Sequence, residues 1–129
     1  MARVLIVDDE EGDRVVLRTI LERAGHEVLE AKDGDEALAG YGGRGIEAVI
    51  TDLQMRNVHG LELITILRDF VPRPAIIAIS GTGQIQLDMA QMLGATKTLT
   101  KPVMPEELLA ALGSVLRDRS AEAGTQPPT

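Results

Sequence analysis

The sequence has no cysteine and no tryptophan, and its aromatic content is 2%, carried by Tyr41 and Phe70. Without Cys there is no disulfide framework, no thiolate metal site and no Cys nucleophile, which fits a reducing cytoplasm. Without rings, the core must be built from Val, Ile, Leu, Ala and Met. No apolar run approaches the roughly 20 residues a membrane span needs. Val4 to Val7 is too short for a secretory signal and is followed at once by acids, so a cytoplasmic chain with no membrane partner is expected. Positive charge is also scarce: 13 Lys and Arg stand against 20 Asp and Glu, a net charge of −7. That balance argues against direct nucleic-acid binding, which wants clustered Lys and Arg. The 129 residues, 44% of them hydrophobic, suit one domain with one core.

The apolar residues alternate between two periods. Arg3–Val7, Glu27–Ala31, Glu47–Asp52, Ala75–Ile79 and Thr98–Thr100 read as five strands, the first, third and fourth apolar enough to be covered on both faces. Between them, helical spacing places Val16, Leu17, Ile20, Leu21 and Ala24 inward, then Ala37, Leu38 and Tyr41, then Leu63, Ile64, Leu67 and Phe70. A weaker helix over residues 85–93 is expected to bury Met89, Met92 and Leu93 as core filling. Pro105 opens a last helix carrying Leu108, Leu109, Leu112, Val115 and Leu116. Asp33 is placed to cap the second helix and Gly25 to close the first. Strands alternating with helices predict an α/β fold with a five-stranded parallel sheet covered on both faces. The domain is expected over residues 1–118, with a disordered tail over 119–129 and no output domain after it.

The chemistry-bearing residues fall at strand ends. Asp8 and Asp9 follow the first strand, Asp52 ends the third, Ser80 the fourth and Lys101 follows the fifth, so all collect at the carboxyl edge where open α/β sheets bind ligands. Taken singly, an aspartate here could cap a helix, Ser80 could make a turn and Lys101 could be a solvated lysine. Together, packed carboxylates must take up protons or a cation, and a set of oxygen donors selects a hard ion, Mg²⁺ with Mn²⁺ as the alternative, over Zn²⁺. Lys101 and Ser80 suit phosphoryl oxygens, and a carboxylate can itself be phosphorylated. A Rossmann or P-loop site is excluded, because acids follow the first strand where a glycine-rich turn is required.

Val7-Asp8-Asp9-Glu10, Thr51-Asp52-Leu53-Gln54-Met55, Ile79-Ser80-Gly81 and Thr100-Lys101-Pro102, in order and at these spacings, resemble the bacterial response-regulator receiver domain over about residues 2–118. The resemblance implies a flavodoxin-like fold with strand order 2-1-3-4-5, Asp52 as phosphoacceptor, and Asp9 and Asp52 as direct Mg²⁺ ligands. It also implies that Asp8 acts through water, that the Gln54 backbone carbonyl is a further ligand, that Ser80 and Lys101 bind the phosphoryl group, and that the Lys101–Pro102 bond is cis. The implied donor is a histidine kinase or histidine phosphotransfer protein. The implied function is a stand-alone, non-turnover phosphoryl acceptor, monomeric or weakly dimeric, signalling to a downstream protein. Two alternatives remain: an aspartyl-phosphate enzyme, disfavoured because Gln54 cannot serve as general acid, and a phosphorylation-independent adaptor. Three positions depart from the family: Thr98 where an aromatic switch residue is usual, Arg56 where Pro is common, and Val103 where Phe is common. Thr98 is expected to leave signalling to a smaller motion around Ser80 and residues 81–83, and Arg56 to modulate donor recognition or phosphoryl lifetime. His26 and His59 receive no role.

Overall fold

The continuous apolar runs become strands because helices cover both faces of the sheet they form. The computed structural model describes residues 2–42, 44–55, 59–81 and 83–125. In chain order the elements are β1 (Arg3–Val7), α1 (Glu11–Arg23), β2 (Glu27–Ala31), α2 (Gly34–Tyr41), β3 (Ala48–Asp52), α3 (Gly60–Leu67), β4 (Ala75–Ser80), α4 (Gln84–Leu93), β5 (Lys97–Thr100) and α5 (Pro105–Thr125). The strands pair in parallel in the order β2-β1-β3-β4-β5, the flavodoxin-like arrangement expected.

Side chains alternate across each strand, and two cores follow from that alternation. Leu5, Val7, Val49, Ile76 and Ala78 face one side, where Ala37 of α2, Leu63, Ile64 and Leu67 of α3, and Leu87 and Ala90 of α4 cover them. Val4, Ile6, Ala48, Ile50, Ile77 and Ile79 face the other, under Leu17 and Leu21 of α1 and Leu108, Leu112 and Val115 of α5. Every residue of β3 and β4 is buried, whereas the edge strands β2 and β5 carry exposed positions. A side chain such as Ile50, wholly removed from water, contributes about 1.5–3 kcal/mol relative to its exposed state. The aromatic residues meet below the sheet, Tyr41 against Phe70 edge-on with ring centres 4.9 Å apart. Asp33 caps α2 as expected, its carboxylate accepting the Glu36 N–H at 2.8 Å.

Three expectations are corrected. Met89 and Met92 do not fill the core: they are 44% and 84% exposed, and with Ile85 they form an outward apolar stripe on α4. The inward face is set by Leu87, Ala90 and the partly buried Leu93, whose three-residue spacing lets small Ala90 bring the helix close to its neighbours. On α1, Val16 is 54% exposed and Ala24 also faces solvent, so the buried stripe narrows to Leu17 and Leu21. The chain from Arg119 is not irregular throughout, because α5 runs on to Thr125. The apolar pattern stops earlier, but the stretch Arg119-Ser120-Ala121-Glu122-Ala123 has ordinary helix propensity and no proline. Residues 126–129 lie outside the described residues.

Candidate functional site

β1 and β3 are neighbours at the point where the strand order reverses, and the chain leaves their carboxyl ends in opposite directions, opening a crevice. Asp8 enters it from β1. Its N–H donates to the Ala31 carbonyl at 3.1 Å, its Oδ1 accepts the Glu10 N–H at 2.9 Å, and its carbonyl accepts Arg14 Nη1 at 2.6 Å. Asp52 enters as the last residue of β3, level with Ile79 of β4. Its Oδ1 accepts the Gln54 N–H at 3.2 Å, and its backbone carbonyl accepts the buried Thr51 hydroxyl at 2.9 Å. Gly60, the first residue of α3, lies so near that a Cβ there would stand 2.4 Å from the Asp52 carbonyl oxygen and 2.6 Å from Leu53 Cα. Only a residue without a side chain lets α3 start there, so Gly60 fixes the backbone that presents Asp52.

Lys101 comes from the far side. Its N–H donates to the Ser80 carbonyl at 3.0 Å, which extends the pairing of β4 with β5 and points the side chain across the crevice. The ammonium lies 2.9 Å from Asp13 Oδ2, 3.2 Å from Asp52 Oδ2 and 3.6 Å from Asp8 Oδ2. Burial alone would lower its pKa, but the hydrogen bond it donates to Asp13 and the charges of Asp52 and Asp8 outweigh burial and raise it, so Lys101 is cationic at neutral pH. Asp8, 1% exposed, has its pKa raised, first by burial and further by the charges of Asp52 and Asp13; the Glu10 N–H and Lys101 oppose the shift.

Asp8, Asp9 and Asp52 each offer a carboxylate oxygen, and the three oxygens lie within 4.8 Å of one another. Two are buried and one is exposed, and all are hard donors, so the set fits a small divalent cation that keeps water on its open side. A cleft of about 510 Å³ opens on the Lys101 side, lined by Asp13, Val16, Leu17 and Val103 among others. Another of about 610 Å³ opens on the Asp9 side, bordered by Gln54, His59 and Gln86.

The structure therefore brings together Asp8, Asp9, Asp52 and Lys101, with Ser80 fully buried at the end of β4 beside them. Gln54 directly follows the site and is exposed, and the Lys101–Pro102 bond is cis. Thr98 is partly buried opposite Ala78, while Arg56 lies outside the described residues. Asp13 and Gly60 were not legible as site residues. Asp13 sits four positions after Asp9 on what becomes the first turn of α1, but nothing in the sequence ties it to a lysine 88 residues away. Gly60, a glycine opening a helical stripe, is a weak signal of close backbone approach.

The model of the response regulator receiver domain matches residues 4–113. The chain belongs to the response regulator receiver family. Receiver domains are phosphoryl acceptors of two-component signalling rather than turnover enzymes, bind Mg²⁺ at a pocket of aspartates, and interact with histidine kinases and downstream targets. This receiver is 34% identical over 127 residues to the response regulator MprA of a Mycobacterium species, covering 98% of this chain and 55% of that one. It is 30% identical over 118 residues to the sensory/regulatory protein RpfC of Xanthomonas campestris, covering 88% of this chain and 16% of that protein. The chain thus spans about half or less of these curated relatives. Among solved structures, the chemotaxis protein CheY4 of Vibrio cholerae superposes with a TM-score of 0.82 at 34% identity, over 89% of this chain and 98% of that one. Among the described residues, no helix is long and apolar enough to cross a membrane.

Proposed function

We propose that this receiver takes a phosphoryl group onto the Asp52 carboxylate from a phosphohistidine on a histidine kinase or histidine phosphotransfer protein, and signals the change by protein–protein interaction. The observation that carries the reading is the Lys101 ammonium, reaching 3.2 Å from Asp52 Oδ2 inside a cluster of carboxylates at the carboxyl ends of β1 and β3. A carboxylate oxygen of Asp52 forms the new bond to phosphorus, the bond from phosphorus to the donor imidazole nitrogen breaks, and that nitrogen takes up a proton. Lys101 stays charged throughout and accompanies the phosphoryl oxygens, with the Ser80 hydroxyl as a second donor. Asp9 and Asp52 would hold Mg²⁺ directly, Asp8 through water and Gln54 through its carbonyl. When bound, the ion would neutralise carboxylate repulsion and the charge of the phosphoryl group. Hydrolysis of the acyl phosphate returns the receiver to its resting state.

The test is intact mass after incubation with a small acyl phosphate, with and without Mg²⁺, for the natural chain and for Asp52→Asn. One added phosphoryl group that requires Mg²⁺ and is lost in the variant is expected. A folded, Mg²⁺-binding chain that gains no phosphoryl group from this donor or from a phosphorylated histidine kinase would favour a phosphorylation-independent adaptor.

A further inference from the structure

Lys101 has a closer partner than the proposed phosphoacceptor. Asp13, on the first turn of α1, approaches the ammonium to 2.9 Å, against 3.2 Å for Asp52 and 3.6 Å for Asp8. Asp13 does not belong to the group of carboxylates that could hold a cation, which is Asp8, Asp9 and Asp52. It draws on the ammonium without contributing to the metal site. It also stands on the wall of the Lys101-side cleft, which Leu17 and Val103 line as well, so the Asp13–Lys101 bridge forms part of the cleft's lining. The neighbouring cation of α1 is engaged elsewhere, Arg14 with the Asp8 carbonyl and Glu30.

We infer that Asp13 is a positioning residue that holds the Lys101 ammonium on the α1 side of the pocket, leaving Asp8 and Asp52 freer for a cation and restraining phosphoryl capture. The inference rests on the acceptor reading given above. Two consequences of opposite sign follow. Without Asp13, the ammonium falls wholly on Asp8 and Asp52 in the resting chain and competes with a divalent cation. Once the cation is saturating, the same ammonium is no longer shared with α1, and one negative charge less faces the incoming phosphoryl group. Asp13 is half-exposed, its side chain 47% accessible, so added salt should narrow both effects.

The test uses the full chain with Asp13→Asn, Asp13→Glu and Glu11→Gln. Glu11 shares the first turn of α1 and its charge but lines neither cleft, so it reports the generic effect of losing an acid at that helix end. With a small acyl phosphate and saturating Mg²⁺, Asp13→Asn should accelerate phosphorylation by about threefold to tenfold, and calorimetry should show weaker Mg²⁺ binding. Asp13→Glu should return both toward the natural values, and Glu11→Gln should move neither. A loosened fold would slow the reaction and weaken the metal together. Phosphorylation of Asp13→Asn no faster than that of Glu11→Gln overturns the inference. If the natural chain itself takes no phosphoryl group, the acceptor reading fails and the calorimetry alone decides Asp13's role. Weaker Mg²⁺ binding in Asp13→Asn than in Glu11→Gln then upholds it, and equal or tighter binding refutes it.

Discussion

The two ends of the parallel sheet obey opposite electrostatic rules. At the carboxyl ends of the strands, Asp8, Asp13 and Asp52 gather around the Lys101 ammonium, Asp9 lies beside Asp8 and Asp52, and burial raises the pKa of Asp8. At the amino ends the guanidiniums lie on exposed surface and are satisfied one by one, Arg3 by the Glu27 carboxylate at 3.0 Å and three others by backbone carbonyls. Arg68 donates to Leu93 at 2.8 Å, Arg73 to Gly94 at 2.6 Å and Arg119 to Arg73 at 3.0 Å. The arginines close the C-terminus of α4 and tie α5 to the loop before β4, where a positive charge also suits the helix dipole. One end is arranged to lower the energy of the resting fold. The other retains carboxylate repulsion that one ammonium only partly offsets, which a cation or a phosphoryl transfer can use.

Substitutions at each end should separate these roles. Gly60→Ala should have the largest effect, because its Cβ would meet backbone, not a flexible side chain. A loss of about 1–3 kcal/mol in denaturant unfolding is expected, with phosphorylation slowed by about tenfold or more as Asp52 is displaced. Asp8→Asn should act in the other direction on stability. The folded chain binds the Asp8 proton more readily than the unfolded chain does, so the ionised carboxylate costs stability above its folded pKa and nothing below the unfolded value. The variant should therefore melt a few degrees higher than the natural chain near pH 7 with EDTA present, followed by circular dichroism, and the gain should vanish as the pH falls to about 3. With Mg²⁺ added, the natural chain should recover the difference, since binding to the folded state stabilises it. Arg73→Ala at the opposite end should cost about 1 kcal/mol or less, with phosphorylation and Mg²⁺ affinity unchanged.

What the sequence revealed and what it hid follow the same division. β3 was legible because a strand covered on both faces reads as a continuous apolar run, and its final Asp52 is the charge on which that run ends. The order of Asp8, Asp9, Asp52, Ser80 and Lys101 along the chain sufficed to place them at one edge, since every parallel strand delivers its carboxyl end there. The face of α4 was not legible: Met89 and Met92 score as apolar, yet the contact with the sheet is decided by the size of Ala90 and the reach of Leu87. Asp13 was hidden for a different reason. Its first-turn position already has a sufficient local account in the helix dipole, and its ion pair exists only after β5 has been laid beside β4. α5 outlasts its apolar stripe because helix propensity continues where burial stops.

With four aspartates gathered at this edge, three of them around the Lys101 ammonium, the central claim is that Asp52 alone accepts the phosphoryl group. The most direct measurement is borohydride trapping of the phosphorylated chain followed by peptide sequencing in a mass spectrometer. A reduced residue at position 52, and at no other aspartate, is the predicted result. Reduction at Asp8, Asp9 or Asp13, or a phosphorylated chain in which Asp52 stays unmodified, would contradict it.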